Sequence, residues 1–198
     1  MSTDLPPNPL SVEGSPESNA PIRPSRRALV VGALAAAAAA VGAGVAWWRP
    51  RRTASQDGAA VLAMVLPDPD GNEQPLAQWR GKVLVINFWA TWCAPCREEM
   101  PQFVAAQARD GSKGVQFVGI AVDDVDKVRV FAREIGLNYP TLIGGYGAIE
   151  LSRTLGNDLA ALPFTIVLDR QGRVVHTQLG PLKAAKLDGL LAELTAAA

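Results

Sequence analysis

The apolar positions of this chain fall into two regimes. From Ala28 to Trp48 there are 21 residues without a charge. As a helix that length spans roughly 30 Å, the thickness of a bilayer core, and soluble helices rarely run so far without a polar face. Residues 28–48 therefore predict a transmembrane anchor or signal segment. Residues 1–27 before it are rich in Pro and Ser with little apolar pattern, which predicts a disordered tail ending in Arg26-Arg27. Residues 49–58 read as a linker, and 59–198 as the folded domain.

Inside 59–198 apolar runs alternate with amphipathic ones. Val61–Leu66 predicts a strand, and Pro67-Asp68-Pro69-Asp70-Gly71-Asn72 a turn. Lys82–Trp89 is a near-continuous apolar run of the kind a buried strand shows, as is Val115–Val122. Between them Ala94–Ala108 predicts a helix, broken by Asp110-Gly111-Ser112-Lys113-Gly114. Val125, Val128, Phe131, Ala132 and Ile135 recur at helical spacing, and Gly136 closes that helix. Tyr139–Ile143 predicts a short strand and Ala148–Leu155 a short helix. Phe164–Asp169 and Arg173–Leu179 predict a hairpin joined by Asp169-Arg170-Gln171-Gly172, and Leu182–Leu194 a last helix. Strands alternating with helices place the domain in the α/β class.

Charge and composition narrow the options. The 198 residues carry no net charge, and residues 58–198 hold 13 Lys and Arg against 15 Asp and Glu, a net −2. Without a clustered basic face, nucleic acid is excluded as the expected partner. Two cysteines build no disulfide framework, so stability rests on an apolar core, which about 140 residues can supply.

Those two cysteines, Cys93 and Cys96, are the only ones in the chain. They lie where a buried strand gives way to a helix. A helix N-terminus offers unpaired N–H groups and the positive end of the dipole, which lower a thiol pKa. Cys93 at the cap is the expected exposed nucleophile, and Cys96, one turn on, the expected buried resolving thiol. Pro95 suits the first turn, where its missing N–H is not needed. A structural disulfide is the alternative, but so small a loop stabilises little. A zinc site needs two more ligands, and the chain has one histidine, His176. Two thiolates suit Cu(I), so a copper-binding assembly protein stands as a second alternative. Asp123-Asp124-Val125-Asp126 predicts a helix cap rather than a calcium loop.

The segment Asn87-Phe88-Trp89-Ala90-Thr91-Trp92-Cys93-Ala94-Pro95-Cys96-Arg97-Glu98-Glu99-Met100-Pro101 resembles the active-site segment of thioredoxin-fold proteins. It is most similar to the membrane-anchored TlpA/ResA group of thiol–disulfide oxidoreductases. The resemblance implies a thioredoxin-like fold with an N-terminal β-hairpin extension and a central αβ insertion, preceded by one transmembrane helix. It implies a redox-active Cys93–Cys96 disulfide, no other cofactor, and a cis Pro163 facing the pair. The backbone beside that proline, at Leu162, would pair with a substrate chain as an added strand. Trp92 would offer a partner an apolar contact. Thioredoxin carries a buried Asp where this chain has Asn87, which cannot ionise. Glu99, three residues after Cys96 on the same helix face, is the expected acid in its place. Related copper proteins space their cysteines one residue further apart.

The expected function is thus reduction of disulfides in cell-envelope proteins, apocytochrome c or metal-centre assembly factors among them, with an integral-membrane dithiol donor restoring the pair. Ala94-Pro95 differs from the dipeptides of thioredoxin and of the oxidant DsbA, so a disulfide-donating oxidase stands as an alternative. Arg23, Arg26 and Arg27 before the apolar span balance Arg49, Arg51 and Arg52 after it. The twin arginines resemble an export signal, which places the catalytic domain on the periplasmic side of the inner membrane. Trp47-Trp48-Arg49 suits a retained anchor, and Val41-Gly42-Ala43 a cleaved signal with a soluble periplasmic domain.

Overall fold

The computed structural model describes residues 54–196, with side chains from residue 58 on. The predicted tail 1–27, the predicted span 28–48 and the start of the linker lie outside the described residues. Among the described residues no helix is long and apolar enough to cross a membrane.

The chain begins with helix α1 (Ala54–Leu62), then strands β1 (Val65–Pro67) and β2 (Glu73–Pro75) and a 3-10 turn at Leu76–Trp79. The core follows as β3 (Val83–Trp89), α2 (Ala94–Asp110), β4 (Val115–Ala121), α3 (Val125–Glu134), β5 (Thr141–Ile143) and α4 (Gly145–Thr154). Strands β6 (Phe164–Leu168) and β7 (Val174–Leu179) and helix α5 (Ala184–Ala196) complete it. The expected β-α-β, inserted α-β-α, and β-β-α order is present.

One sheet runs β5-β4-β3-β6-β7, with β3 parallel to β4 and antiparallel to β6. Strands β1 and β2 form the separate antiparallel hairpin, Val65 facing Pro75 and Pro67 facing Glu73. All seven residues of β3 are buried because both faces of the sheet are covered. Val83, Val85 and Trp89 join one apolar cluster with residues of α2, α3 and α5. Leu84, Ile86 and Phe88 join the other, with residues of α1, α4 and the 3-10 turn. The period-2 alternation of side chains along a strand does this sorting. Asn87 is therefore aimed at α2, the helix that carries the cysteines. Its neighbours in register are Gly119 on β4 and Thr165 on β6. Gly119 leaves room for the Trp89 indole: a Cβ there would lie 2.8 Å from Trp89 Nε1.

The N-terminal border departs from the pattern-based expectation. Residues 54–58, read as linker, are helical, and Val61 and Leu62, read as the start of a strand, end α1. Both are buried in the α1-side cluster with Leu76 and Trp79. The stretch Gly58–Leu62 is mostly Gly and Ala, so it has too few apolar residues to distinguish a helix from a strand by period. Elsewhere the shifts are at ends: α4 starts at Gly145 rather than Ala148, and β5 is confined to Thr141–Ile143.

The acidic run before α3 is a cap, as its composition implies. Asp124 accepts a hydrogen bond from Asp126 N–H at 3.0 Å. Replacing Asp124 with Ala should cost about 1 kcal/mol of stability, the usual value of such a cap, read as a lowered urea midpoint at unchanged slope. A loss below a few tenths would mean that Asp124 does not hold the helix end.

Candidate active site

Strand β3 delivers the chain at Trp89 to the loop 90–93, and α2 leaves from it. The two residues that follow β4 pin this loop. Val122 N–H donates to Trp89 C=O at 2.8 Å. The Asp123 carboxylate accepts from Thr91 N–H at 3.0 Å and from the Thr91 hydroxyl. These bonds hold the Asp123 carboxyl below the usual carboxylate range, although its burial opposes them. The sequence pattern presented Asp123 only as part of a cap. Its loop-anchoring role depends on β3 and β4 being neighbours.

Cys93 is the N-cap of α2 and Pro95 lies in the first turn. The two cysteines are joined as a disulfide, with Cα atoms 5.3 Å apart. Cys93 Sγ also accepts from Cys96 N–H at 3.3 Å. Cys96 is fully buried, as expected. Cys93 is only 6% exposed, less than the exposed nucleophile that its position at the cap implied. Its sulfur is turned inward by the bond to Cys96. Exposure at this point comes from the neighbour, Trp92, which is 65% exposed. Further along α2, Pro101 offers no N–H to the carbonyl of Arg97.

Glu99 projects from α2 into the protein and is 4% exposed. Its Oε1 accepts from Asn87 Nδ2 at 2.9 Å and its Oε2 from Leu182 N–H at 2.9 Å. Asn87 Nδ2 also donates to Thr165 Oγ1 at 3.0 Å. One carboxylate thus links α2, β3 and the segment before α5. Burial pushes the Glu99 carboxyl up to about 7 from its ordinary 4.5, against the opposite pull of the Leu182 N–H and the Asn87 amide. The Tyr139 phenol is also raised, by burial and then by the Glu99 charge. Glu98, by contrast, is exposed.

The Leu162–Pro163 peptide is cis. Phe164 pairs with Phe88. The antiparallel register therefore brings the residues before Phe164 level with those after Phe88, at the end of the sheet where the cysteine loop begins. Pro163 is buried and its carbonyl accepts from Gly180 N–H at 2.9 Å. Leu162 is half-buried against the cluster that holds both cysteines. On another side of the loop, Trp92 and the exposed Tyr146 line a cleft of about 410 Å³ with Val122 and Asp124. Tyr146 had no sequence signal, because α4 was expected to begin two residues after it. His176 lies on β7, and burial lowers its pKa. Among the described residues no group of three or more His, Cys, Asp or Glu side chains is placed to hold a metal ion.

The family model described as Redoxin matches residues 56–192, more than half of the chain. The chain belongs to the redoxin family. Among curated relatives, the thiol-disulfide oxidoreductase ResA of Bacillus anthracis is 30% identical over 139 residues, 66% of this chain and 74% of the relative. Among solved structures, a thiol:disulfide interchange protein of the thioredoxin family from Chlorobium tepidum is 30% identical with a TM-score of 0.61, covering 67% of this chain and 92% of that one. A secreted Mycobacterium tuberculosis disulfide oxidoreductase homologous to DsbE is 25% identical with a TM-score of 0.58, covering 68% and 98%. This redoxin has a thioredoxin-like fold and is a thiol–disulfide oxidoreductase. Its redox group is the Cys93–Cys96 pair itself, and its substrates are proteins that contain disulfides.

Proposed function

We propose that this redoxin reduces disulfides in proteins outside the cytoplasm while tethered to the inner membrane by residues 28–48. In the reduced state the Cys93 thiolate, at the helix cap, attacks one sulfur of a target disulfide. The other target sulfur leaves as a thiol and a Cys93–target mixed disulfide forms. Cys96 then attacks Cys93 Sγ, releasing the second target thiol and leaving Cys93–Cys96 oxidised. Glu99, one turn beyond Cys96, takes the proton that Cys96 must lose, and its carboxyl near 7 suits that exchange at neutral pH. Leu162 beside cis Pro163 receives the target backbone, and Trp92 covers the mixed disulfide. An integral-membrane dithiol donor then returns two electrons to the pair.

The observation that carries this reading is the buried acid on the same helix as the cap cysteine: it supplies proton transfer that Asn87 cannot. The secreted nature of the M. tuberculosis relative supports a site outside the cytoplasm, and the uncharged span 28–48 supports the tether. Apocytochrome c and metal-centre assembly proteins are the target classes that the family likeness favours.

The test is the reduction potential of the full chain in a dithiothreitol buffer. A value near or below about −270 mV marks a reductant. One near about −120 mV overturns the direction and makes the protein a disulfide donor.

A further inference from the structure

The loop from α4 to cis Pro163 contains a buried amide that the proposed reaction does not use. Asn157 is fully buried. Its Oδ1 accepts from Ala161 N–H at 3.0 Å, and its Nδ2 donates to Ala161 C=O at 2.9 Å. One side chain thus satisfies both backbone polar groups of Ala161, as a neighbouring strand would. The same Nδ2 donates to Ser152 Oγ at 2.9 Å, and that hydroxyl donates to Ile149 C=O at 2.7 Å inside α4. Between the clamped residues Ala160 has φ 52, the only positive φ outside glycine among the described residues. An alanine there is held against its preference, and the bonds on either side are what hold it.

Taken residue by residue, the backbone at this edge leaves one pair of groups free. Ala161 is occupied by Asn157. Pro163 has no N–H, and its C=O is taken by Gly180. The Leu162 N–H and C=O make no hydrogen bond among the described residues. A residue before proline is restricted to extended backbone, and in extended backbone successive residues turn their polar groups to opposite edges. With Ala161 fixed toward α4, Leu162 faces the other way.

We propose that Asn157 is a positioning residue that sets the register of the bound substrate strand. By occupying Ala161 it leaves Leu162 as the single residue able to exchange both backbone bonds with a target chain. A one-residue slip would turn every target side chain to the opposite face and carry the target cysteine away from Cys93. The clamp extends through Ser152 into α4, so the inserted helix is part of the substrate-binding edge. This inference rests on the reading above that Leu162 receives the target backbone.

The experiment compares two substrates on the reduced full chain: insulin, whose disulfides are carried by polypeptide chains, and hydroxyethyl disulfide, which has no peptide groups. In Asn157→Ala the ratio of kcat/KM for insulin to that for hydroxyethyl disulfide should fall by about tenfold or more, chiefly through KM, as two backbone bonds are lost or misplaced. Asn157→Asp keeps an acceptor for Ala161 N–H and loses the donor to Ala161 C=O. It should show the same bias, and it carries the test if the alanine variant does not fold. A ratio unchanged from the wild type, with both rates equal to it or lowered in proportion, overturns the positioning role and leaves the reading of Leu162 standing. A wild-type chain that reduces hydroxyethyl disulfide but not insulin overturns both.

Discussion

A Cys96→Ser chain, reduced and mixed with a disulfide-bonded protein, accumulates a covalent adduct through Cys93, whereas a Cys93→Ser chain forms none. The chain has no other cysteine, so the adduct has one possible point of attachment in each variant. The asymmetry follows from the helix start. Cys93 is the cap residue, 6% exposed and next to the exposed Trp92, and Cys96 is fully buried one turn further in. Without Cys96 the mixed disulfide has no internal thiol to resolve it and persists until dithiothreitol is added. Turnover of a disulfide substrate should fall to background in both variants, by about a thousandfold or more, equivalent to about 4 kcal/mol of barrier. Intact-mass measurement before and after dithiothreitol reads the adduct. Trapping on Cys96 in the Cys93→Ser chain, at a comparable rate, would reverse the assignment of the two thiols.

The second large effect belongs to Glu99. A carboxyl whose pKa rises from 4.5 to about 7 on folding is held in its protonated form by the fold. The folded state then binds more protons than the unfolded state between these values, so stability falls as pH rises through that window. The contribution is fully present below about 4.5 and gone above about 7, and its size is about 3 kcal/mol at about 1.36 kcal/mol per unit of pKa. Carboxylates such as Asp110 and Asp169, whose pKa values are lowered, act with the opposite sign, but below that window. His176, lowered by burial, opposes Glu99 inside it. The clean measurement is therefore a comparison: urea unfolding of the oxidised wild type and of Glu99→Gln at pH 5 and pH 8. The wild type should lose stability relative to the variant over this interval by about 2.5 kcal/mol, since part of the effect is already lost at pH 5. A constant difference between the two chains would show that Glu99 does not titrate there.

The same substitution should slow resolution of the mixed disulfide by about a hundredfold, the lower end of what a positioned acid or base contributes. Glutamine keeps an oxygen for one donor but places its own N–H₂ against the other, Asn87 Nδ2 or Leu182 N–H. Some stability is lost on that account at every pH. It shifts both ends of the comparison equally and leaves the pH-dependent part readable.

The parts of this molecule that were legible in advance are those written in local pattern. The β3 run, the strand-to-helix placement of the cysteines and the β6–β7 hairpin depend on neighbours in the chain, while the cis Pro163 was implied by the family resemblance. The depth of Glu99 was legible from its spacing to Cys96, but its partner Leu182 lies 83 residues away and contributes a backbone N–H. No sequence pattern marks a backbone group. Asp123 and Asp124 looked alike as acids before a helix. Only the adjacency of β3 and β4 separates them, turning one toward Thr91 and the other toward its own helix. Asn157 follows a glycine and carries no motif around it. Its burial depends on α4 folding back over the segment that leads to Pro163. The misread start of the first strand, Val61–Leu62, had the complementary fault: it follows Gly58-Ala59-Ala60, and so short a stretch has too weak a period to choose a structure until Leu76 and Trp79 pack against it.

Trp92 has one more consequence, and it is optical. Among the described residues, Trp79 and Trp89 are buried within the core, while Trp92 stands in solvent with the Cys93–Cys96 bond one residue away. A disulfide accepts an electron from an excited indole, and a dithiol does so far less readily. The emission of Trp92 should therefore be quenched in the oxidised protein and recover on reduction, shifted toward the red as befits a solvated ring. A rise in that emission on adding dithiothreitol would make Trp92 a built-in gauge of the oxidation state, legible without any label.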